Sequence, residues 1–558
     1  MQTNQRRNAA LRLLPLTLAL ALAVPHAARA SEDFAARCRA MGQYSDGDLK
    51  VTTAQLVPAG PAPALPFSQP GGAAKPLQLP EHCLVQASFE QRAGVGDKPY
   101  AIRMELRLPP DWNGRFLFQG GGGMNGFVPP AIGANSNAQS AYPPALHRGF
   151  AVVSTDTGHD APNPADASFA RDQLAKLNYA YAAIGKVTLH AKAMIARLAG
   201  KAPDHSYFAG CSNGGREAML AAQRYPDLFD GVLASNPAFN LRDAAVMSYF
   251  SGKTYDAAAQ NDAKARGLAA FLITPAEGEL IRKAVLEQCD ALDGAKDGMV
   301  FDHAACHFNV KSLECKPGQS SANCLAPAKA EAIAKAFQGP LDDAGKPRFT
   351  PWVWDASVFT PDWLIWQTGL PLPNGQSMTM LRELVTASLT QYFAFPAIDA
   401  ATLSTSPRDI ERLLRATDAT AGLTVATSTD FTSFAARGGK VMFTDGWSDP
   451  IFSAQDLVNW YGRMAADMER VSGKPTEQFA RLFMVPGMAH CTGGQSLDDM
   501  DALGSLVSWV EQGKAPDMLK ATGQSFPGVS RPICAWPAIA RYKGSGPVDD
   551  AASFTCKP

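Results

Sequence analysis

The sequence predicts an α/β protein in which a mostly parallel sheet, covered by helices on both faces, is interrupted by one large insertion. Three observations carry this prediction. Through residues 101–234, short apolar runs of strand length alternate with longer runs of helical period. The same alternation resumes over 440–512. Between them, from about 238 to 428, it gives way to helical patterns, loops, prolines, tryptophans and four cysteines. A chain of 558 residues that is 46% hydrophobic and 18% charged can bury a large core, which excludes a disordered or low-complexity protein. A formal net charge of −1 provides no basic field of the kind that holds nucleic acid.

Taken in order, the chain opens on Arg6 and Arg7, an uncharged apolar run over 13–24, and Ala28-Arg29-Ala30. This reads as a secretory signal peptide over 1–30, cleaved near Ala30/Ser31. The apolar run is too short to span a bilayer, so the expectation is a secreted or periplasmic protein with no membrane anchor. Residues 51–80, rich in Pro, Ala and Gly, read as an irregular surface segment. Residues 101–108 (AIRMELRL) alternate as a strand should, and 115–118 and 150–154 are further short strands. A long helix is expected over 177–198, then a strand at 206–209, a helix at 214–224 and a strand at 231–234. After the insertion come a strand at 440–444, a helix at 454–468, a strand at 483–485 and a helix at 501–512. The core is thus expected in two parts, 31–237 and 429–558, around an insertion at 238–428.

Residues 206–216 read SYFAGCSNGGR and contain Gly210-Cys211-Ser212-Asn213-Gly214, the G-x-S-x-G pattern of a nucleophile elbow. A strand precedes it and a helix follows. The sharp turn pushes the Ser212 hydroxyl out above the sheet, the glycines admit close backbone approach, and the helix N-terminus favours developing negative charge. Cys211 as a thiolate nucleophile is the rival, disfavoured in an oxidising compartment. Around such an elbow the partners follow in the order serine, acid, histidine. The strand at 440–444 is followed by DGWSDP, which offers Asp445 and Asp449. The strand at 483–485 is followed by PGMAHC, which puts His490 in a loop as candidate general base. Asp449 lies deeper in its loop and is the favoured acid, whereas Asp445 at the strand end can simply cap the turn. The acid would fix the imidazole tautomer and stabilise the imidazolium.

Ten cysteines in an exported chain point to disulfides, but the count alone leaves the pairing open. Cys289, Cys306, Cys315 and Cys324 share one loop-rich stretch, Cys534 and Cys556 lie together near the end, and Cys38 and Cys83 near the start. Cys211 precedes Ser212 and Cys491 follows His490. If the serine and histidine are in hydrogen-bond reach, these neighbours are placed to bridge; the alternative is two free buried thiols.

Gln119-Gly120-Gly121-Gly122-Gly123 ends a strand, and such a run can aim backbone amides at an oxyanion. A flexible loop without catalytic duty is the alternative. Residues 290–299, DALDGAKDGM, concentrate three carboxylates around two Asp-Gly turns. Hard Ca²⁺ takes several oxygens, including carbonyls from a loop bent back on itself. The spacing is not that of an EF-hand, and two solvated turns would explain the same residues.

Together, WNGRFLFQGGGG (112–123), YFAGCSNGGREAM (207–219), CDALDGAKDG (289–298), DGWSDPIF (445–452), VPGMAHCTGG (485–494) and ARYKGSG (540–546) resemble the tannase and feruloyl esterase family over nearly the whole mature chain. The resemblance implies an α/β-hydrolase core with a lid domain, 238–428, inserted before the strand that carries the acid. It implies the bridges Cys38–Cys83, Cys211–Cys491, Cys289–Cys306, Cys315–Cys324 and Cys534–Cys556. Position matching favours the amides of Gly123, with Gly122 as alternative, and of Asn213 as the oxyanion hole. A structural lid calcium is implied, held by the side chains of Asp290, Asp293 and Asp297 and the carbonyls of Ala295 and Met299; no organic cofactor is implied.

The family hydrolyses esters of aromatic acids: gallates, hydroxycinnamates and, in one branch, mono(hydroxyethyl) terephthalate. Trp366 and Phe452 are the candidate clamps for the ring. The terephthalate branch grips its free carboxylate with a lid arginine, and that position falls here on Met380. Arg382 lies two residues away; nearby Val385 has no polar group and Ser388 only a hydroxyl. An arginine fork is hard to replace for a carboxylate, which favours a neutral or phenolic ring. The expectation is therefore a secreted serine carboxylesterase whose partner is a small aromatic ester. The alternatives are a mono(hydroxyethyl) terephthalate hydrolase and, in another class, a non-catalytic phenolic-binding protein.

Overall fold

A computed structural model describes residues 32–63, 77–134, 140–319 and 323–558. The signal peptide expected over 1–30 lies outside the described residues. Ten strands form one sheet: β1 (Ser45–Asp46), β2 (Leu49–Val57), β3 (His82–Ala93), β4 (Pro99–Leu108), β5 (Arg115–Gln119), β6 (Ala151–Thr155), β7 (His205–Cys211), β8 (Gly231–Ser235), β9 (Lys440–Gly446) and β10 (Ala480–Val485). Their order across the sheet is β1-β2-β3-β4-β6-β5-β7-β8-β9-β10. The six strands β5 to β10 run parallel, and β1 to β4 add an antiparallel flank. The parallel strands are apolar almost throughout because both of their faces are covered.

Period-two alternation sorts side chains onto the two faces. Phe116, Phe118, Phe208, Val441 and Phe443 pack against α1 (Ala183–Ala199), α2 (Asn213–Arg224) and, further along the chain, Ala454–Ser472. Leu117, Tyr207, Met442 and Phe483 point the other way, onto Leu506 and Trp509 of the helix Ala502–Gln512 and the C-terminal hairpins. The expected long helix over 177–198 is α1, preceded by a wider π turn at Asn178–Ala182.

The reading of 51–80 as irregular needs correction over its first part. Residues 51–57 belong to β2, which pairs antiparallel with β3. The strand is largely half-exposed, so it carries threonines and glutamine where a buried strand would carry an apolar run.

The segment 238–428 adds no strand to the main sheet and builds its own core. Helices α3 (Leu241–Gln260), α4 (Pro275–Cys289), α5 (Pro327–Gln338) and α6 (Pro361–Gln367) enclose Tyr255, Ile281, Ile333, Phe337, Trp352 and Trp363. Helix α4 starts on a full capping box, Thr274 with Glu277, and Pro275 at its first position. Helices α7 (Met380–Ala387) and α8 (Pro407–Thr424) complete the insertion. Its loop at 295–301 does not stay with these helices: Ala295, Met299 and Phe301 insert into the core beneath the sheet. Arg531 pairs with Asp297 at 2.5 Å and Arg541 with Asp302 at 2.9 Å, tying that loop to the C-terminal hairpins.

Candidate active site

Strand β7 ends at Cys211 and helix α2 begins at Asn213, so Ser212 must turn the chain in one residue. It does so at φ 62°, ψ −124°, a conformation that costs a non-glycine residue on the order of 1–3 kcal/mol. Neighbouring glycines make the turn possible. A Cβ on Gly210 would lie 2.6 Å from the Gly214 carbonyl carbon, and one on Gly214 would lie 2.6 Å from the Gly121 oxygen. The Ser212 amide donates to the Ser235 carbonyl at 3.1 Å, tying the elbow to β8.

His490 follows β10, and its side chain is only 6% exposed. Its Nδ1 lies 2.8 Å from Asp449 Oδ2. Its Nε2 is buried and has no partner among the described residues, so the far side of the ring is free. Asp449 Oδ1 accepts from the amides of Ile451 (2.8 Å) and Phe452 (3.1 Å). Its Oδ2 also accepts from Asn236 Nδ2 at 2.8 Å, and the same Nδ2 lies 2.8 Å from Asp445 Oδ1. Burial, then the charge of Asp449, raises the Asp445 carboxyl well above the usual carboxylate range. Asp445 is thus driven towards its neutral form beside the acid that holds the histidine.

The ten cysteines form five bridges: Cys38–Cys83, Cys211–Cys491, Cys289–Cys306, Cys315–Cys324 and Cys534–Cys556. The second, with Cα atoms 6.0 Å apart, fastens the residue before Ser212 to the residue after His490. Cys211, as half of this bridge, is no free thiol.

The glycine run after β5 lies against the start of α2. The Gly121 amide donates to Glu217 Oε2 at 2.9 Å. The amides of Gly122, Gly123 and Asn213 donate to no acceptor among the described residues; the Tyr179 hydroxyl, 3.1 Å from both the Gly123 carbonyl and Asn213 Oδ1, links the last two. Asn213, 2% exposed, is the first residue of α2, where an amide has no partner within the helix.

Aromatic rings flank the histidine. Trp366, on α6, meets the His490 ring edge-on at 5.4 Å between centroids, and Phe452 meets it at 5.4 Å and 60°. Trp366 also lines a cavity of about 260 Å³ together with Ser248, Tyr249, Arg382 and Val385. The Arg382 guanidinium is held by Asp256 at 3.0 Å and by the Thr368 carbonyl at 3.3 Å. Met380 is 44% exposed, and the Ser388 hydroxyl donates to the Val385 carbonyl.

Sequence reasoning missed the residues that lock the two candidate catalytic loops to the insertion. Asp355, fully buried, accepts from Ser448 Oγ (2.8 Å) and from the Gly487 amide (2.7 Å) through one oxygen. Its other oxygen lies 3.2 Å from His303 Nε2, and His303 stacks on Trp447. Ser357 donates to the Gly487 carbonyl and accepts from the Gln495 amide, each at 2.6 Å. Gln367, at the end of α6, donates to the Pro450 carbonyl. No spacing in the sequence marks these residues, because their partners lie about 80 to 140 positions away.

In the loop at 290–299, Asp290 accepts from the amides of Asp297 and Gly298, and Asp293 Oδ1 from that of Ala295. Asp293 Oδ2 is buried with no partner among the described residues. Burial, and then the charges of Asp297 and Asp290, push the Asp293 carboxyl up to about 7. Arg531 offsets the charge of Asp297. No group of three acidic, histidine or cysteine side chains is arranged as a ready metal site among the described residues. The orphaned oxygen and the repelling carboxylates are nevertheless what a hard cation would relieve.

A serine on a strained elbow, a histidine held by a carboxylate on one nitrogen and free on the other, and unspent amides nearby can together carry out acyl transfer. Comparison with known proteins points to ester hydrolysis. The family model described as tannase and feruloyl esterase matches residues 87–557. Mono(2-hydroxyethyl) terephthalate hydrolase of Piscinibacter sakaiensis is 37% identical over 86% of this chain and 85% of its own. A probable feruloyl esterase B-2 of Neosartorya fischeri is 28% identical over 98% and 99%. The solved structure of feruloyl esterase B from Aspergillus oryzae superposes with a TM-score of 0.75 at 25% identity, covering 94% of this chain and 100% of that one. The fold is that of the α/β-hydrolase esterases, and the chain belongs to the tannase and feruloyl esterase family of carboxylic ester hydrolases.

Proposed function

We propose that this protein is a secreted serine carboxylesterase that cleaves esters of aromatic acids through an acyl-enzyme. The observation that carries the reading is the His490–Asp449 contact at 2.8 Å, with Nε2 buried and unpartnered and Ser212 fastened nearby through Cys211–Cys491. Ser212 attacks the ester carbonyl while His490 takes its proton, then returns it to the leaving alcohol. Asp449 holds the imidazole tautomer and stabilises the imidazolium. The amides of Gly123 and Asn213 receive the oxyanion. Water, activated by the same histidine, then releases the acid.

The aromatic-acid specificity is supported by the two rings against His490 and by the feruloyl esterase relatives. Five disulfides support export. A calcium ion fits the orphaned oxygen of Asp293; the carboxylates of Asp290, Asp293 and Asp297 and the carbonyls of Ala295 and Met299 would hold it. Such an ion would neutralise the acidic loop and help fasten the insertion to the core.

One observation favours a second reading, a terephthalate monoester. Arg382 shares a cavity with Trp366, although Asp256 already engages it. Initial rates on methyl ferulate, methyl gallate and mono(hydroxyethyl) terephthalate, for wild type and Ser212→Ala, decide among these. Mass spectrometry after treatment with a serine-reactive phosphonate is expected to find one adduct, on Ser212. An inactive protein without an adduct would instead be a phenolic-binding protein.

A further inference from the structure

An oxyanion hole built from Gly123 and Asn213 needs two amides on different segments to meet one oxygen. Gly123 belongs to the loop after β5, and Asn213 opens α2. The two segments touch backbone to backbone: a Cβ on Gly120 would lie 2.7 Å from the Gly214 Cα. Beneath this contact sits Glu217, one turn into α2 and 1% exposed. Its Oε2 accepts from the Gly121 amide at 2.9 Å. Its Oε1 accepts from the side-chain amides of Asn125 at 2.8 Å and Asn213 at 3.0 Å. The Asn213 side chain also donates to Asn125 Oδ1 at 2.9 Å, closing a triangle.

A second group holds the same pair of segments from the side. The hydroxyl of Tyr179, 1% exposed, lies 3.1 Å from both the Gly123 carbonyl and Asn213 Oδ1. Arg216 Nε donates to that Oδ1 at 2.7 Å. The Gly123 peptide is therefore held by its carbonyl, and both ends of the Asn213 side chain are held. What these contacts leave free is the amide of each residue.

We propose that Glu217 is a positioning residue which, with Tyr179, sets the spacing of the Gly123 and Asn213 amides. It thereby acts on the tetrahedral oxyanion more than on the bound ester. The inference rests on the serine-esterase reading above. Glu217→Gln keeps the size of the side chain but turns one acceptor into a donor. That donor must then face either the Gly121 amide or the amides of Asn125 and Asn213, so one segment shifts against the other.

The test uses the whole disulfide-bonded protein. It compares wild type, Glu217→Gln and Tyr179→Phe for kcat and KM on methyl ferulate. It also compares their affinities for an arylboronic acid, which forms a tetrahedral adduct on a nucleophilic serine, and for ferulate, the planar product. Glu217→Gln is expected to lower kcat about 100-fold, the loss seen when an oxyanion donor is removed. KM stays within about threefold, boronate affinity falls in step with kcat/KM, and ferulate affinity is unchanged. Tyr179→Phe is expected to show the same pattern at about tenfold, and carries the test if the glutamine variant does not fold. A folded variant with unchanged kcat overturns the proposal, as does an equal loss of boronate and ferulate affinity. Wild type that cleaves no ester and forms no adduct would instead remove the serine-esterase reading, and this inference with it.

Discussion

His490 Nδ1 meets Asp449 Oδ2 at 2.8 Å, whereas Asp445, four residues earlier, reaches the same network only through Asn236. Asp449→Asn is therefore expected to lower kcat about 10⁴-fold, by favouring the wrong imidazole tautomer. Burial and the Asp449 charge already favour the neutral form of Asp445, so Asp445→Asn is expected to cost no more than about threefold. Steady-state rates of both folded variants on one ester check this; the reverse order would give Asp445 the acid's role.

Trp366 and Phe452 each bring a ring to within 5.4 Å of His490 between centroids. Trp366→Ala is expected to raise KM for methyl ferulate roughly tenfold while leaving hydrolysis of p-nitrophenyl acetate within about twofold. Equal losses on both substrates would make Trp366 a support for the histidine and not a clamp for the acid.

The elbow was legible because its chemistry is local: a strand, a glycine-flanked serine and a helix are consecutive in the chain. His490 and the rival aspartates could likewise be found from the strands before them. In the sequence, the choice between Asp445 and Asp449 rests on loop depth, a coarse stand-in for the His490 contact that the structure gives to Asp449. Strand β2 was missed because one side of it is exposed, which leaves no apolar run to read. Asp355 and Tyr179 carry no sequence signal, and Glu217, though inside the 207–219 motif, shows its role only once distant segments meet. Trp366 is named in the sequence as a candidate clamp, but its edge-on contact with His490 is not readable there, as α6 and β10 are separated by more than a hundred residues.

If calcium occupies the loop at 290–299, a chelator will lower the midpoint of thermal unfolding by about 5 °C, and added Ca²⁺ will restore it. Asp293→Asn is expected to remove this response. A midpoint that ignores both chelator and Ca²⁺ would show that the loop holds itself together through Arg531 and its own amides.

Asp172 is clamped by Arg92 through two hydrogen bonds, at 2.5 and 2.8 Å, and this contact holds its carboxyl down to about 2. A depressed carboxylate contributes stability above its unfolded pKa of about 4 and loses it as pH falls towards the folded value. The urea midpoint of Asp172→Asn should therefore lie below that of wild type near pH 6, with the gap narrowing steadily from pH 4 towards pH 2. A gap constant with pH would mean that the charge of Asp172 contributes nothing.

Asp355 satisfies two buried donors, the Ser448 hydroxyl and the Gly487 amide, with a single oxygen. Asp355→Ala leaves both unpaired, at an expected cost of roughly 2–4 kcal/mol in urea unfolding. An accompanying fall in kcat would follow from the displacement of the loops that carry Asp449 and His490. A variant as stable as wild type would mean that water replaces the carboxylate without loss.

The seam formed by Asp355, Ser357 and α6 also decides where this protein can be recombined. A graft that exchanges the whole of 238–428 for a relative's sequence would bring a foreign Trp366 region against native loops at 446–450 and 487–495. Donor and acceptor groups such as Ser357 and Gln495 would then come from different parents. Productive chimaeras should therefore take 355–367 and those two loops as one indivisible block from a single parent.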